Sequence, residues 1–564
     1  MTPSPLWSAA TCRSVCRRTS LRGSGAGPPL RKAVTGHRTP RRGLCPEWFK
    51  SFMLTKSHPE EIQSYLADAS HMLEGEAERV VFPGSAEEVA DILRAATETR
   101  TPVTISGAGT GTVGGRIPFA GIVLATDKLD QIKSFVRHEV GGGSAVVEAG
   151  VRLFDFQRFA ESNGMFYPPD PTERSCFVGG TIATNASGAR TFKYGPTRNY
   201  VERLKIALAT GEVVDLRRGE MHADSSGLIR IPVTYQSPPA TAGGSDKVFI
   251  EAHLPSYQMP QTRKHAAGYY VAPGMDLLDL FIGSEGTLGV ILEAELKLLP
   301  KPEGLLSGVV FFSSAENLLG FVQETRILSL SSQTADPQKV KAIDARALEY
   351  FDRESLGFLR QKYSTIPEGA VGAIFFEQEI DSASENEVMQ SWLSLLETHD
   401  ALVDDSWFAT NEQDQAGLRE FRHALPVLMN EWFARHRQRK VSTDMSVPDE
   451  AFGSMLSFYE NTLVDSGLRY TIFGHIGDNH VHVNILPRTD DEALTAREIY
   501  MQFVRRAVEI GGTISAEHGI GKLKRDYLRL LYSDEHLREM AALKRAFDPA
   551  CILGRGNIFN EEYL

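Results

Sequence analysis

Three histidines in one short segment are the strongest sign of chemistry in this sequence. Residues 473–484 read FGHIGDNHVHVN and contain His475, His480 and His482. Because alternate residues of a β-strand share a face, we expect His480, His482 and Asn484 on one side of a strand and the intervening valines in a core. A glycine-containing turn after His475 can return that side chain to the strand. Neutral imidazoles on a rigid strand, together with an acidic ligand, are suited to binding Zn²⁺ or Mn²⁺.

The acid for such a site is available in a second segment, near the C-terminus. Residues 515–521 read SAEHGIG, which places Glu517 beside His518. The alternative is that the three histidines are ordinary core or surface residues. Their spacing and the paired Glu-His sequence favour a site, and the fold must then bring the two segments together.

A compact βαβ unit is predicted in the N-terminal part of the chain. A strand begins at Arg79, Ser85 and Glu88 form a capping box for a helix, and a second strand covers residues 102–105. The unit leads into a glycine-rich loop, residues 106–115, which reads SGAGTGTVGG. Successive small residues can direct backbone N–H groups at phosphate oxygens, so the loop indicates a phosphate-containing ligand, with a tight β-turn as the alternative.

The same loop matches the GxGxxG pattern of NAD-binding folds, but its context contradicts that interpretation. Gly109, Gly111 and Gly114 fit the pattern, and a Rossmann loop would then open a helix that receives the pyrophosphate. Pro118 and the apolar residues 122–125 instead predict a further strand. The sequence therefore favours a different kind of nucleotide site.

Two further stretches are rich in small residues. Residues 166–194 contain too little apolar mass for a core element, and loops of this length are usually functional. Residues 283–289 read GSEGTLG and precede a strand in which every second residue from Val290 to Leu298 is apolar. Three separate loops rich in glycine and serine make a simple turn the weaker interpretation of the first one.

A domain boundary is predicted near residue 301, where Pro300 and Pro302 end the last of these strands. Beyond it, half-exposed strands such as residues 371–378 and 470–473 alternate with amphipathic helices. This pattern indicates an antiparallel α+β domain.

The glycine-rich motifs resemble those of one known family. Loop 106–115, the stretch PPDPTERSCFVGGTIATNASG at residues 168–188 and GSEGTLGVI are similar to the PCMH-type FAD-binding domain of the vanillyl-alcohol-oxidase superfamily. The C-terminal half is similar to its subfamily of glycolate oxidase subunits, D-lactate dehydrogenases and D-2-hydroxyglutarate dehydrogenases. The resemblance covers residues 60–560.

The resemblance implies an α+β fold with a defined order of domains. An FAD-binding domain would cover residues 53–300, and an antiparallel α+β substrate (cap) domain with C-terminal helices would cover residues 301–545. Residues 546–564 would return to the FAD-binding domain.

The resemblance also implies that all three glycine-rich loops hold FAD. The residues that would wrap its diphosphate or line its flavin are Ser106, Gly107, Ala108, Gly109, Thr110, Gly111, Gly179, Gly180, Asn185, Ser187, Gly188 and Glu285. Some family members attach FAD through a histidine in the first loop. Because this chain has no histidine between Arg79 and Arg137, we expect non-covalent FAD. The family's closing Asn-Pro-Gly-Lys reads Gly554-Arg-Gly-Asn557 here, which puts its flavin-contacting lysine in question.

The resemblance implies separate roles for the residues of the histidine and Glu-His segments. Carried over position by position, His475, His482 and Glu517 bind the metal, Zn²⁺ or Mn²⁺, and His518 is the general base. The family often has Gly-Asn-Leu where this chain has Asn479-His480-Val481. We interpret His480 as an exposed side chain, with a spare metal ligand as the alternative.

An anionic substrate needs a fixed cation, and the sequence offers two. Arg422 occupies the position of the family's substrate arginine, and Lys440 resembles a second substrate cation. Asn484 is a further substrate-binding candidate. The alternative for Arg422 and for Lys440 is a solvated charge on a helix or loop.

The predicted reaction is the oxidation of a small D-2-hydroxy acid, of the lactate, glycolate or 2-hydroxyglutarate class, to the 2-oxo acid, with hydride transfer to flavin N5. Because the chain has no haem or cluster motif, a separate quinone, cytochrome or electron-transfer flavoprotein would accept the electrons. One rival is an ether-lipid (alkylglycerone-phosphate) synthase-like transferase on the same fold, in which a different histidine run is expected. The other is an electron-transfer subunit without a substrate site, which leaves Arg422 and the His/Glu set unexplained.

Composition limits the partners and the compartment. A chain of 564 residues suggests two or three domains, and its net charge of -12 argues against a nucleic-acid partner. No apolar run is long enough for a transmembrane helix, so membrane contact would be peripheral. Only Cys176 and Cys551 lie beyond residue 52, which excludes a disulfide framework and indicates a reducing compartment. The sequence leaves the oligomeric state open, with a homodimer as one form.

Residues 1–52 differ in composition from the rest of the chain. They are rich in arginine and contain a single acid, Glu47, as organelle transit peptides do. The alternative is an upstream extension before Met53 that is disordered or not part of the working protein. We therefore expect a cytoplasmic protein, or one of the mitochondrial matrix if the leader is a transit peptide.

Overall fold

The structure, a computed structural model, describes residues 53–233, 248–334 and 342–564, so the predictions for the leader lie outside the described residues. The strands are β1 (Leu54–Lys56), β2 (Arg79–Phe82), β3 (Val103–Ser106), β4 (Ile122–Ala125), β5 (Ile132–Arg137), β6 (Gly143–Glu148), β7 (Met165–Phe166), β8 (Val201–Ala207), β9 (Val213–Arg217), β10 (Leu228–Val233), β11 (Val248–His253), β12 (Val290–Pro300), β13 (Gly304–Phe312), β14 (Ala345–Asp352), β15 (Gly372–Ile380), β16 (Trp407–Ala409), β17 (Val441–Ser442), β18 (Tyr470–Gly474) and β19 (His482–Ile485).

The α-helices are α1 (Pro59–Ile62), α2 (Ala86–Thr99), α3 (Leu153–Ser162), α4 (Val178–Ala183), α5 (Thr191–Tyr194), α6 (Leu278–Phe281), α7 (Ala315–Thr334), α8 (Arg353–Leu359), α9 (Glu385–Thr398), α10 (Glu412–His436), α11 (Phe452–Ser466), α12 (Asp490–Glu509), α13 (Leu528–Leu531) and α14 (Asp534–Phe547). Among the described residues, no helix combines the length and the hydropathy needed to cross a membrane. The fold is of the mixed α+β class that the sequence predicts.

The predicted βαβ unit forms β2, α2 and β3. Ser85 Oγ accepts a hydrogen bond from the backbone N–H of Glu88 at 3.2 Å, and the Glu88 carboxylate accepts one from the N–H of Gly84 at 2.7 Å. These two bonds cap the start of α2. Both β2 and β3 pair in parallel with β4, giving the order β1-β2-β4-β3. Because the glycine-rich loop runs from β3 into the strand β4, the prediction that it is not a Rossmann loop is confirmed.

A second sheet has the order β5-β6-β12-β8-β9, and β7 pairs with the end of β12. Its central strand, β12, shows the predicted alternation, with Leu296 and Leu298 buried and Lys297 exposed between them. Glu293 is also buried, because Lys133 and Arg203 hold its carboxylate at 2.7 and 2.9 Å. The central strand therefore packs on both faces.

The prediction that residues 166–194 lack core elements is wrong. This stretch contains α4 and α5, and its Val178, Ile182 and Phe192 side chains are buried. A Cβ at Gly179 would lie 2.6 Å from Ala149 Cβ, so the helix approaches its neighbour at a distance that only glycine permits. The small residues of this stretch therefore allow its helices to pack closely against the core.

A third sheet of seven antiparallel strands, in the order β16-β13-β15-β14-β18-β19-β17, forms the C-terminal half. Phe375 packs with the helices α8 and α10, whereas Phe376 packs with α7 and α9 on the opposite face. The prediction of a half-exposed strand at residues 371–378 is therefore wrong, since helices cover both faces of β15. The boundary predicted near residue 301 falls in the turn between β12 of the second sheet and β13 of the third.

The C-terminal segment returns to the first sheet. The N–H of Val103 donates to Ile552 O at 2.8 Å, and the N–H of Gly554 donates to Val103 O at 3.0 Å. Lys544, which is fully buried, fixes this segment because its Nζ contacts Asp548 Oδ2 and Leu553 O, each at 2.8 Å.

Replacement of Lys544 by methionine should therefore lower the free energy of unfolding by about 3–5 kcal/mol, because it leaves the buried Asp548 carboxylate unpaired. The double variant Lys544→Met/Asp548→Asn should recover part of this loss. Denaturant unfolding followed by circular dichroism measures both. The exposed ion pair Lys362–Glu420 provides the control, since Lys362→Met should leave the midpoint almost unchanged. Equal stability of Lys544→Met and that control would contradict the prediction.

Candidate active site

One cleft joins the three glycine-rich loops to the Glu-His segment. Residues 107–111 of the first loop, Gly179 and Gly180 of the second stretch, and Glu285 of the third loop line it. Glu517 and His518 line the same cleft. The elements predicted to hold a nucleotide and those predicted to do chemistry therefore meet along one surface.

The loop after β3 has the properties of a diphosphate site. The backbone N–H groups of residues 107–112 donate to no acceptor in the described part of the chain. A Cβ added at Gly111 or at Gly180 would meet no atom within 4 Å, so both positions leave space for a ligand. Unpaired N–H groups around an open cleft suit phosphate oxygens, and these residues fit the diphosphate of FAD.

Four residues predicted to bind FAD bond to other parts of the protein. Ser106 Oγ accepts from Arg116, Asn185 Oδ1 accepts from the N–H of Arg198, and Gly188 O accepts from Lys264 Nζ, each at 3.0–3.1 Å. None of these three lines the cleft among the described residues. Glu285 lines it, but its carboxylate accepts from the N–H groups of Ile520 and Gly521, at 2.7 Å each. Burial raises the pKa of Glu285 to about 7 although these bonds lower it.

The hairpin of β18 and β19 brings the histidines to one carboxylate. His475 follows β18, and its Nε2 lies 3.3 Å from Glu517 Oε1. His480 Nδ1 lies 3.8 Å from the same oxygen, and His482 Nε2 lies 3.9 Å from Glu517 Oε2. One ligand atom from each of these four residues lies within 4.8 Å of the other three.

The interpretation of His480 as an exposed side chain is wrong. Its side chain is fully buried, and neither ring nitrogen has a hydrogen-bond partner by geometry in the described chain. Strand β19 begins only at His482, so His480 lies in the preceding turn, where the alternation of a strand does not apply. Asn484, within the strand, is also buried, and its Nδ2 donates to His482 O at 3.3 Å.

Each imidazole faces an oxygen atom on the side away from Glu517, although the contact at His480 lies outside hydrogen-bond geometry. His475 Nδ1 lies 2.6 Å from Glu349 Oε1, His482 Nδ1 lies 3.0 Å from Thr443 O, and His480 Nε2 lies 3.3 Å from Asp444 Oδ1. Such outer contacts orient the rings of metal-binding histidines. Burial and the neighbouring His480 hold the pKa of His482 well below its ordinary value.

The spacing of the four groups fits a divalent cation. Metal–ligand bonds of about 2.0–2.1 Å in a tetrahedral site place ligand atoms about 3.3 Å apart. The histidine nitrogens lie 3.3–3.9 Å from the Glu517 oxygens, and one atom from each group lies within 4.8 Å of the others, so a bound metal would draw the four groups closer together.

Two charged residues that the sequence analysis missed hold Glu517 and His518. Lys264 is buried, and its Nζ lies 2.6 Å from Glu517 Oε1. Asp444 is buried and accepts from the N–H groups of Glu517 and His518 at 3.2 and 3.1 Å. Its Oδ2 also lies 3.3 Å from Nδ1 of His518, whose side chain is 35% exposed. No local pattern marks Lys264, because its partners are distant in sequence.

The two predicted substrate cations lie in different surroundings. Arg422 lies in α10 with its side chain 10% exposed, and its Nε donates to Glu349 Oε2 at 3.1 Å, so it shares one carboxylate with His475. Lys440 is exposed and forms no hydrogen bond or ion pair in the described chain. Glu349 was also missed, although an acid within the apolar run of β14 is a signal for a buried charge network.

This combination of fold and cleft defines an FAD-dependent oxidoreductase. Residues 77–217 match the model of an FAD binding domain, and residues 331–558 match that of the C-terminal domain of FAD linked oxidases. The chain belongs to the FAD-linked oxidase family of the vanillyl-alcohol-oxidase superfamily.

Curated relatives align along most of their length. A D-lactate dehydrogenase of Anaerostipes hadrus is 30% identical, covering 85% of this chain and 89% of that protein. The glycolate oxidase subunit GlcD of Bacillus subtilis is 29% identical, with coverage of 88% and 92%. A D-2-hydroxyglutarate dehydrogenase of Stutzerimonas stutzeri is 27% identical, with coverage of 85% and 90%.

A solved alkyldihydroxyacetonephosphate synthase is similar in structure, with a TM-score of 0.59 at 15% identity. The alignment covers 89% of this chain and 81% of that one. At this identity, the likeness shows the fold alone.

Filling the cleft at Gly180 should remove the cofactor without unfolding the protein. In Gly180→Leu the new side chain occupies space that no protein atom fills, so the purified protein should lose most of its flavin absorbance relative to its protein absorbance. Gly453→Leu is the matched control, since Gly453 is also an exposed helical glycine with no atom within 4 Å of an added Cβ, and it lies outside the cleft. Full flavin content in Gly180→Leu would contradict this position for FAD.

Proposed function

We propose that this protein oxidises a small D-2-hydroxy acid to the corresponding 2-oxo acid, using non-covalently bound FAD. The observation that carries the proposal is that one cleft contains both the unpaired N–H groups of residues 107–112 and the side chains of Glu517 and His518. A cofactor on the loop and a substrate at the histidines would then be neighbours. The relatives are named as a glycolate oxidase subunit, a D-lactate dehydrogenase and a D-2-hydroxyglutarate dehydrogenase. These names support this substrate class.

In this mechanism His518 removes the proton of the substrate hydroxyl group. Its Nδ1 faces Asp444, so Nε2 is the nitrogen available as the base. Arg422 binds the substrate carboxylate, and Lys440 and Asn484 are weaker candidates for further contacts. The substrate loses a hydroxyl proton to His518 and a hydride from Cα, which balances the formation of the 2-oxo acid. When bound, FAD supplies the hydride acceptor.

The metal part of the proposal rests on His475, His482 and Glu517, with His480 as a fourth ligand. Three imidazoles and one carboxylate are a donor set for Zn²⁺, and Mn²⁺ is the alternative. A bound metal supplies positive charge for the hydroxyl and carboxylate oxygens of the substrate. Lys264 Nζ donates to Glu517 Oε1 at 2.6 Å, so this carboxylate would be shared between the lysine and a bound metal.

The electrons would pass from the protein to a separate acceptor, a quinone, a cytochrome or an electron-transfer flavoprotein. The transferase alternative has no specific support, because the structural likeness to the synthase extends to the fold alone. A subunit without a substrate site would not require Arg422, Glu349 and His475 to be joined in one buried network.

Anaerobic titration with D- and L-lactate, glycolate and D- and L-2-hydroxyglutarate tests the reaction. At least one D-acid or glycolate should bleach the flavin absorbance, with about one substrate molecule oxidised per FAD, because hydride transfer reduces FAD directly. The L-acids serve as the control, since they present Cα–H in the opposite direction. If dithionite reduces the flavin and none of these acids does, the proposed substrate class is wrong.

Two variants separate the metal ligands from the base. His482→Ala should lower metal content and activity together while FAD content stays normal, whereas His518→Ala should retain metal and FAD and lower turnover by about 10²–10⁴-fold. Metal analysis, flavin absorbance and single-turnover rates measure these effects. His138→Ala is the control, because His138 is an exposed residue in the turn after β5.

Two outcomes would contradict the assignment of these roles. If the wild-type protein contains no stoichiometric metal and chelators leave its rate unchanged, the metal part of the proposal is wrong, and the histidines would orient the substrate through hydrogen bonds. If both variants keep full activity, the reaction occurs elsewhere.

A further inference from the structure

Lys522 is a buried lysine next to the glycine-rich loop, and it has no acidic partner. Its side chain is only 5% exposed. Its Nζ donates to Asn557 Oδ1 at 2.6 Å and lies 3.5 and 3.4 Å from the carbonyl oxygens of Gly114 and Gly115. In the described part of the chain, no carboxylate oxygen lies within 4.0 Å of this ammonium group.

The other buried lysines show how unusual this is. Of the four lysines buried in the described residues, three form ion pairs, at 2.6–2.8 Å: Lys264 with Glu517, Lys524 with Asp444 and Lys544 with Asp548. An ammonium group that is buried without an anion is strongly unfavourable. Lys522 therefore needs an anion that the protein itself does not supply.

Glu285, the acid that interacts most strongly with Lys522, is committed elsewhere. Both oxygens of Glu285 accept hydrogen bonds from the backbone, one from Ile520 and one from Gly521. Burial lowers the pKa of Lys522 to about 8, and Glu285 only partly offsets this effect. An external anion at this position would raise the pKa of the lysine toward its ordinary value.

Lys522 is also fixed to the loop that lines the cofactor cleft. Its backbone N–H donates to Val113 O at 2.9 Å, and Gly115, whose carbonyl its Nζ approaches, lines the cleft. The unpaired N–H groups of residues 107–112 belong to the same loop. The lysine therefore lies against the loop that carries these N–H groups.

We propose that Lys522 supplies the positive charge that neutralises bound FAD. FAD carries negative charge on its diphosphate, and its reduced flavin ring gains negative charge as well. The diphosphate and the reduced flavin ring would each present an anionic oxygen or nitrogen atom to the ammonium group of Lys522. Asn557 holds the ammonium group in place, which makes it a positioning residue.

Two measurements on the holoprotein distinguish whether Lys522 faces the diphosphate or the flavin ring. If Lys522 faces the diphosphate, Lys522→Met should raise the dissociation constant of oxidised FAD by about tenfold or more and leave the midpoint potential unchanged, because the diphosphate charge is the same in both redox states. If it faces the flavin ring, reduced FAD should bind about tenfold more weakly relative to oxidised FAD, which lowers the two-electron potential by about 30 mV. Fluorescence of FAD released on dilution and anaerobic redox titration provide the two values.

The controls test charge at this location. Lys522→Arg should stay close to the wild type, and Asn557→Lys in the Lys522→Met background should restore much of the loss, since position 557 reaches within 2.6 Å of the original ammonium group. Lys297→Met removes an exposed lysine of β12 and should change neither value. If Lys522→Met does not fold, Lys522→Gln, which can still bond to Asn557, replaces it. A neutral variant with an unchanged FAD dissociation constant and an unchanged potential would overturn the proposal.

Discussion

The buried carboxylate of Glu517 is the group on which the organisation of the site depends. Ser187 donates to it at 3.1 Å from the second glycine-rich stretch, and Lys264 donates at 2.6 Å. His475 approaches it from the third sheet at 3.3 Å. Burial raises the pKa of Glu517, but His475 and Lys264 hold it well below its ordinary value. A buried anion requires such partners, so the two halves of the chain must meet around the Glu517 carboxylate.

The loop that follows Glu517 is held by two further acids, one from each half. Asp444 accepts from the N–H groups of Glu517 and His518, and Glu285 accepts from those of Ile520 and Gly521. Almost every N–H of this short loop is therefore fixed by a carboxylate. Glu285, which was predicted to bind FAD, lines the cleft, and its hydrogen bonds also hold the loop that carries His518. A rigid loop matters here because proton transfer requires the base at hydrogen-bond distance from its substrate.

The sequence predicted those parts of the site that depend on local pattern. Pro118 and the apolar residues 122–125 were sufficient to distinguish a strand from a Rossmann helix, because both signals are local. The His and Glu-His segments were recognised by spacing and by resemblance, and the structure brings them to one point. Residue types alone did not reveal that the small residues around Gly179 pack closely, since that depends on Ala149 in another element.

The residues that sequence analysis missed owe their positions to tertiary structure. Lys264 lies far along the chain from Glu517, and nothing in its own neighbourhood indicates that it is buried. Burial of His480 depends on where β19 begins, and a shift of two residues in that boundary reversed its expected environment. Glu349 and Asp444 could have been suspected as acids near apolar runs, but their partners required coordinates.

Asp444 also couples the base to the histidine cluster, and this coupling follows from its two oxygens. Its Oδ1 lies 3.3 Å from His480 Nε2, and its Oδ2 lies 3.3 Å from His518 Nδ1. Lys524 holds the same Oδ2 at 2.6 Å, so the carboxylate cannot turn toward one histidine without losing other bonds. Loss of the His480 side chain would remove one of the contacts around the acid that orients His518. Effects of substitutions at His480 and His518 should not be independent, because residues that share a hydrogen-bonded partner are energetically coupled. The proposed metal ligands and the proposed base share one buried acid, although they come from separate segments of the sequence.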